Sequence, residues 1–283
     1  MKNDSCLRLS LAEWSLHLAL ESGSLDHLDF PRVTRGKFDI DAIELVNTFF
    51  QRGTEPGYLQ EFKRRADDAG VQSLLIMCDH EGDLGDPDEK ARQLATANHW
   101  KWVEAARFLG CHSIRVNARS NGSPEEQLKR FAEGLHPLCE RAAAWGINVL
   151  IENHGGLSSN AAWLVSVIRA INLPNCGTLP DLGNFKISET EQYDRYLGVA
   201  EMMPFAKGVS AKTHEFTAQG EETEIDYRRM LQIVLDSGYR GYLGIEYGGK
   251  LLPEPEGIAA TRRLIERVTG ELRPGHLKVA GEL

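Results

Sequence analysis

The sequence predicts an α/β fold, a single-domain (β/α)8 TIM barrel, and three observations carry that reading. Glycines close helix-like segments and are followed by short apolar, often β-branched runs, as in DDAGVQSLLIMC, RFLGCHSIRVN, AAWGINVLIEN and LDSGYRGYLGIEY. Strand and helix patterns alternate through the chain, which signals βαβ units and a parallel sheet. The first strand is followed by WSLHLALESG, without the G-x-G-x-x-G turn that an open doubly wound sheet would carry.

Taken in order, the strands fall near 7–13, 40–46, 72–78, 112–117, 147–152, 176–181, 207–214 and 241–246. Helices fall near 57–69, 89–109, 124–145, 160–171, 190–203, 226–237 and 256–269, and 18–39 reads as an irregular, elaborated first connection. Gly70, Gly110, Gly146 and Gly238 sit where a helix C′ residue takes positive φ. DPDE (Asp86–Glu89), SPEE (Ser123–Glu126) and SETE (Ser188–Glu191) match capping-box spacing, the first two with proline at the first helical position. Residues 1–270 are assigned to the barrel and 271–283 to a tail, either a frayed end or an arm onto a neighbouring subunit of a homo-oligomer.

The 283 residues suffice for one barrel of the common size, and 42% hydrophobic with 26% charged residues is ordinary for a globular protein. A net charge of −9 argues against nucleic acid or an anionic membrane as partner, since both call for a basic surface. No apolar run reaches the length of a membrane span, and MKNDSCLRLSLAEW lacks the pattern of a signal peptide. The five cysteines (Cys6, Cys78, Cys111, Cys139, Cys176) are scattered, odd in number and form no C-x-x-C pair. Free thiols and a cytoplasmic location are expected.

Barrel chemistry sits at the C-terminal ends of the strands. In INVLIENH a strand of interior character ends in a carboxylate, which is costly to bury without a positive partner. The ends of strands five to eight give Glu152, Asp181, His214 and Glu246, each one βα unit after the last. Alternation places Leu150, Glu152 and His154 on one face of strand five, Ser210, Lys212 and His214 inward on strand seven, and Gly244 and Glu246 inward on strand eight. Three converging carboxylates call for a cation. Oxygen and nitrogen donors without thiolate suit one divalent ion, Mn²⁺ foremost, with Mg²⁺, Co²⁺ or Zn²⁺ as alternatives.

Further rim residues fit a small carbohydrate. Lys212 is assigned either to a substrate oxygen or to an ion pair with a glutamate such as Glu44. His154, Asn117, His80 and Glu44 are candidates for hydroxyl recognition, and Trp14 with His17 for the wall of a sugar pocket. Arg115 is expected to fill the barrel interior, Asn153 to be structural, and Trp100 and Trp102 to pack between helices.

The set IENH, LPDLGNF, SAKTH and GIEYGG, in that order on eight βα units, resembles the sugar phosphate isomerase/epimerase family of the xylose isomerase-like TIM barrel superfamily. That superfamily also holds ketose 3-epimerases, inosose dehydratases and endonuclease IV, and the resemblance covers nearly the whole chain. It implies Glu152, Asp181, His214 and Glu246 as metal ligands, with Glu152 and Glu246 moving protons on opposite faces of the substrate. Many members carry a substrate-binding histidine three residues after the aspartate, where this chain has Asn184. The arginine that several epimerases place after the histidine has no counterpart in HEFTAQGEE.

The expected function is a metal-dependent isomerase or epimerase that abstracts a proton next to a sugar carbonyl through a metal-stabilised enediolate. The runner-up is a lyase or dehydratase on a keto-sugar, keto-glycoside or cyclitol, which shares the first step. A phosphodiesterase would need more rim histidines and a basic groove. A non-catalytic sugar-binding or partner subunit is a further alternative, and metal retention separates it.

Overall fold

The computed structural model describes residues 7–272; Cys6 and nearly all of the tail lie outside the described residues. Eight parallel strands are present: β1 Arg8–Ala12, β2 Ala42–Val46, β3 Gln72–Met77, β4 Ser113–Asn117, β5 Asn148–Glu152, β6 Cys176–Leu179, β7 Val209–Thr213 and β8 Tyr242–Tyr247. They are hydrogen-bonded in the order β6-β5-β4-β3-β2-β1-β8-β7, so neighbours in sequence are neighbours in space and the sheet curls round through β1–β8. The remaining seam, β6 to β7, is joined by isolated bridges at Thr178–Ala206 and Asp181–Ser210. Pro180 follows β6 and has no N–H to donate, which cuts the ladder short there.

Nine helices among the described residues wrap the sheet: α1 His17–Glu21, α2 Phe30–Phe38, α3 Pro56–Ala69, α4 Glu89–Leu109, α5 Pro124–Ala143, α6 Ala161–Ile171, α7 Arg195–Met202, α8 Tyr227–Asp236 and α9 Glu254–Glu271. Segment 18–39, expected to be irregular, holds α1 and α2. In α2, Phe30, Pro31, Thr34 and Phe38 form the buried stripe, which overrides the poor helix propensities of Val33, Thr34 and Gly36. The capping box of Ser123 and Glu126 forms as read, with Pro124 opening α5. The other two patterns do not cap. Helix α4 starts later, on Asp88, whose side chain accepts from the Ala91 N–H, and α7 starts on Asp194, whose side chain accepts from the N–H groups of Tyr196 and Leu197. Ser188–Glu191 instead forms a turn, with the N–H groups of Ile187 and Ser188 both donating to the Glu191 carbonyl.

The four helix-terminal glycines all take positive φ, between 65° and 82°. The main core lies between sheet and helices and includes Val149, Ile151, Val209, Ala211, Leu243 and Ile245, the outward set that alternation predicts. A separate apolar plug of Ala12, Val46, Phe49, Leu75, Met77, Leu150 and Leu179 fills the barrel interior. No described helix is long and apolar enough to cross a membrane, and the four described cysteines are unpaired and buried.

Candidate active site

Strands β5, β6 and β8 deliver Glu152, Asp181 and Glu246 to one point at the C-terminal end of the barrel. Their carboxylate oxygens lie within 4.8 Å of one another, and the residues are no more than 5% exposed. Bare charges this close in a low-dielectric site repel strongly. Two buried cations relieve part of that repulsion. Lys212 Nζ lies 2.6 Å from Glu246 Oε1, and Arg115 Nε lies 2.8 Å from Glu152 Oε2, with Arg115 Nη1 2.8 Å from Asp79. Register explains both pairs: Lys212 is opposite Glu246, while Arg115 sits two residues before Asn117, the partner of Glu152.

Burial pushes the Glu152 carboxyl well above its ordinary range against the pull of Arg115, and pushes Asp181 up against the pull of Lys212. At Glu246 the same burial is outweighed by the Lys212 ammonium and the Ser210 hydroxyl, so this carboxyl is held low. Asp79 is also desolvated, yet Arg115 and Asn117 bring it to about 2. Burial disfavours the charge of both Arg115 and Lys212, but the surrounding carboxylates more than restore it.

Asn153, facing away from the mouth, fixes the β6 end. Its Oδ1 accepts from the Asp181 N–H, and its Nδ2 donates to the carbonyls of Asp181 and Asn184. The N–H groups of Gly183 and Asn184 donate to Asp181 Oδ1. A side chain at Gly183 would run into Lys212 Cγ at 2.9 Å, so the missing Cβ leaves that lysine room to reach Glu246.

The remaining expected site residues divide into three groups. Asn117 and Asn184 join the cluster, the first donating to Asp79 Oδ1 at 2.6 Å and the second placed 3.4 Å from Glu152 Oε1. His154 is exposed at the mouth, and Trp14 stacks on His17 at 4.7 Å and leans against Phe49, roofing the apolar plug. His80, Glu44 and His214 are not brought to the cluster. His80 is exposed in a left-handed turn beyond β3, and its neighbour Asp79 is the residue that turns in. Glu44 is mid-strand, two residues before β2 ends. It accepts from Ser10 at 2.6 Å and lines a cavity of about 410 Å³ at the opposite end of the barrel, with Arg8, Lys207 and Tyr242. Gly244 faces it without a Cβ, which would lie 2.4–2.6 Å from the Glu44 carboxyl. Lys212 therefore pairs with Glu246, not with Glu44.

His214 follows the last residue of β7. Its N–H donates to Glu222 Oε1, and its ring packs beside Gly248, near Lys212 but outside the acidic cluster. The acidic cluster of the described residues therefore contains no imidazole. Level with it on β7 is Ser210, whose Oγ lies 2.8 Å from Glu246 Oε2 and 3.0 Å from Asp181 Oδ2. Arg115, Asp79 and Ser210 are the site residues that sequence reasoning passed over. The inward alternation of Ser210, Lys212 and His214 was the signal for Ser210.

Burial raises the Glu44 carboxyl to about 8 from an ordinary 4.5. Its folded value lies above its unfolded one, so its contribution to stability is present below about pH 4.5 and is lost as pH rises through 8. Glu44→Gln is expected to match the wild type in urea unfolding near pH 5 and to exceed it by a few kcal/mol near pH 8.5. Parallel stability profiles at the two pH values would refute this.

A parallel eight-stranded barrel with an acidic, cation-braced cluster at its C-terminal mouth defines the class: a TIM barrel with the layout of an enzyme. The chain belongs to the xylose isomerase-like TIM barrel family, whose model matches residues 37–268. Among solved structures it is similar to a D-tagatose 3-epimerase-like protein, at 17% identity and TM-score 0.72, covering 93% of this chain and 97% of the other. It is also similar to a 3-keto-D-glucoside 4-epimerase from E. coli, at 16% identity and TM-score 0.69, covering 91% and 100%. A third is a sugar phosphate isomerase/epimerase from Parabacteroides distasonis, at 14% identity and TM-score 0.70, covering 91% and 92%. At these identities the likeness is one of fold. No curated protein matches the sequence.

Proposed function

We propose that the protein is a divalent-metal-dependent isomerase or epimerase of a sugar or sugar derivative, working by proton transfer at the carbon next to a carbonyl. The observation that carries this is a charge imbalance. At the mouth Asp79, Glu152, Asp181 and Glu246 face only Arg115 and Lys212, which leaves two negative charges for a divalent cation to balance. Glu152, Asp181 and Glu246 would hold that ion, Mn²⁺ foremost and Mg²⁺, Co²⁺ or Zn²⁺ otherwise. A cation there supplies Lewis-acid polarisation of a carbonyl.

The chain's own residues do the rest. Glu152, raised by burial, is suited to take a carbon-bound proton near neutral pH. Glu246, held low by Lys212, would be the second proton carrier. Asn117, Asn184 and His154 would orient hydroxyls, and Trp14 with His17 would wall a sugar ring. Return of the proton to the same carbon gives epimerisation, and return to its neighbour gives isomerisation. The names of the structural neighbours support an epimerase or isomerase, and buried free thiols fit a reducing cytoplasm. The Lys212 ammonium inside the mouth favours one second reading, β-elimination with this group protonating the departing oxygen.

The test is a panel of keto-sugars, keto-glycosides and cyclitols incubated with metal-loaded protein in D₂O and followed by NMR. Deuterium entering the carbon beside the carbonyl, with a stereoisomer or positional isomer as product, is expected. An unsaturated product would favour elimination. Protein that binds no divalent metal, or that converts nothing in the panel, counts against the proposal.

A further inference from the structure

We infer that Ser210 completes the metal centre as its fourth donor, giving an all-oxygen set of the kind that hard cations such as Mg²⁺ and Mn²⁺ occupy and in which the usual advantage of Zn²⁺ is small. The inference rests on the metal reading above and goes further by naming the ligand on β7 and the class of ion. Ser210 is wholly buried, and its backbone is bridged to Asp181 across the β6–β7 seam. Its hydroxyl carries one hydrogen, yet two carboxylate oxygens lie within hydrogen-bond distance, Glu246 Oε2 at 2.8 Å and Asp181 Oδ2 at 3.0 Å. Whichever carboxylate receives that hydrogen, the other oxygen faces a hydroxyl lone pair. Lys212 and Arg115 ease the charge but donate to neither of these two oxygens, since Lys212 Nζ contacts the far oxygen of Glu246 and Arg115 Nε contacts Glu152 Oε2. Glu152 Oε1 has only the Asn184 amide, at 3.4 Å.

One oxygen each of Glu152, Asp181 and Glu246 thus converges within 4.8 Å, Ser210 Oγ touches two of these carboxylates, and neither imidazole nor thiolate is among them. The His214 ring lies beside Gly248 and is not among the groups that meet in the acidic cluster. Carboxylate and hydroxyl donors suit Mg²⁺ and Mn²⁺, whereas nitrogen and sulfur donors are what favour Zn²⁺ and Co²⁺.

The test measures metal binding to the full chain with no substrate present. Loss of the free Mn²⁺ electron paramagnetic resonance signal gives the affinity, and Mg²⁺ and Zn²⁺ are titrated in as competitors. The wild type is expected to bind one Mn²⁺ that Mg²⁺ displaces, with Zn²⁺ preferred by no more than about tenfold. Ser210→Cys, close to isosteric, should raise Zn²⁺ preference by about 100-fold or more. Loaded with Co²⁺, it should show a thiolate-to-cobalt charge-transfer band absent from the wild type. Ser210→Ala should weaken Mn²⁺ binding about five- to tenfold, and His214→Ala should leave it within about twofold. Mn²⁺ affinity that falls tenfold in His214→Ala and is unmoved in Ser210→Ala overturns the inference while leaving the metal reading intact. A wild type that binds no Mn²⁺, or binds it equally after Glu246→Gln, overturns the metal reading itself.

Discussion

Glu152→Gln is expected to remain folded while turnover of the sugar that the wild type processes falls by about 10³-fold, solvent-deuterium incorporation falling in step. The amide keeps the shape of the side chain, and its carbonyl oxygen can still lie against the Arg115 guanidinium. It cannot take a proton from carbon. The loss should lie mainly in kcat, because the residues proposed to grip substrate hydroxyls, Asn117, Asn184 and His154, are untouched. Removing one of three crowded carboxylates also relieves repulsion, so the variant should melt no more than a few degrees from the wild type. Undiminished exchange in Glu152→Gln would end the assignment of this residue as the base.

Arg115→Met is expected to give the largest loss of stability, about 3–5 kcal/mol near pH 8, because it leaves two carboxylates without their partner in a buried site. Arg115 is only 3% exposed and contacts Glu152 and Asp79 at 2.8 Å each. For a chain of this size the change corresponds to a fall in Tm of about 6–20 °C. The pH dependence follows from sign. Without the guanidinium the folded pKa of Glu152 rises further above its unfolded value, so stability is retained at low pH and lost as pH increases. The deficit should therefore be smaller near pH 5 than near pH 8, and adding Glu152→Gln should recover part of it. A deficit under about 1 kcal/mol at pH 8 would mean that the pair is solvated and idle.

Much of this was legible in the residues. The glycine-closed helices and apolar runs located all eight strands, because helix C′ positions and parallel strands each leave a local mark in sequence. Strand alternation placed Glu152 and Glu246 inward, and strand-end position picked out Asp181. What was illegible depends on where elements stop and pair. Alternation carried through to residue 214 makes His214 a ligand, but β7 ends at Thr213 and the imidazole settles beside Gly248, outside the acidic cluster. The pairing of Arg115 with Glu152 depends on the β4–β5 register, which no single strand encodes. SETE has the spacing of a capping box, yet backbone turns around Glu191 claim it and Asp194 caps α7 instead. Glu44 looked like a rim residue because it was counted with the end of β2, whereas the strand runs on to Val46.

The β6–β7 seam gives the site a mechanical character. Every other neighbouring strand pair is held by a ladder, while this one is held by two bridges, and the bridge at Asp181–Ser210 is part of the site itself. An ion or substrate gripping Asp181 together with Glu246 would span the barrel's weakest joint and lock it shut. Occupancy should then be readable as slower hydrogen–deuterium exchange at the amides of Leu182 and Ser210, which cross the seam to Ser210 O and Pro180 O, with little change in the β2–β3 ladder.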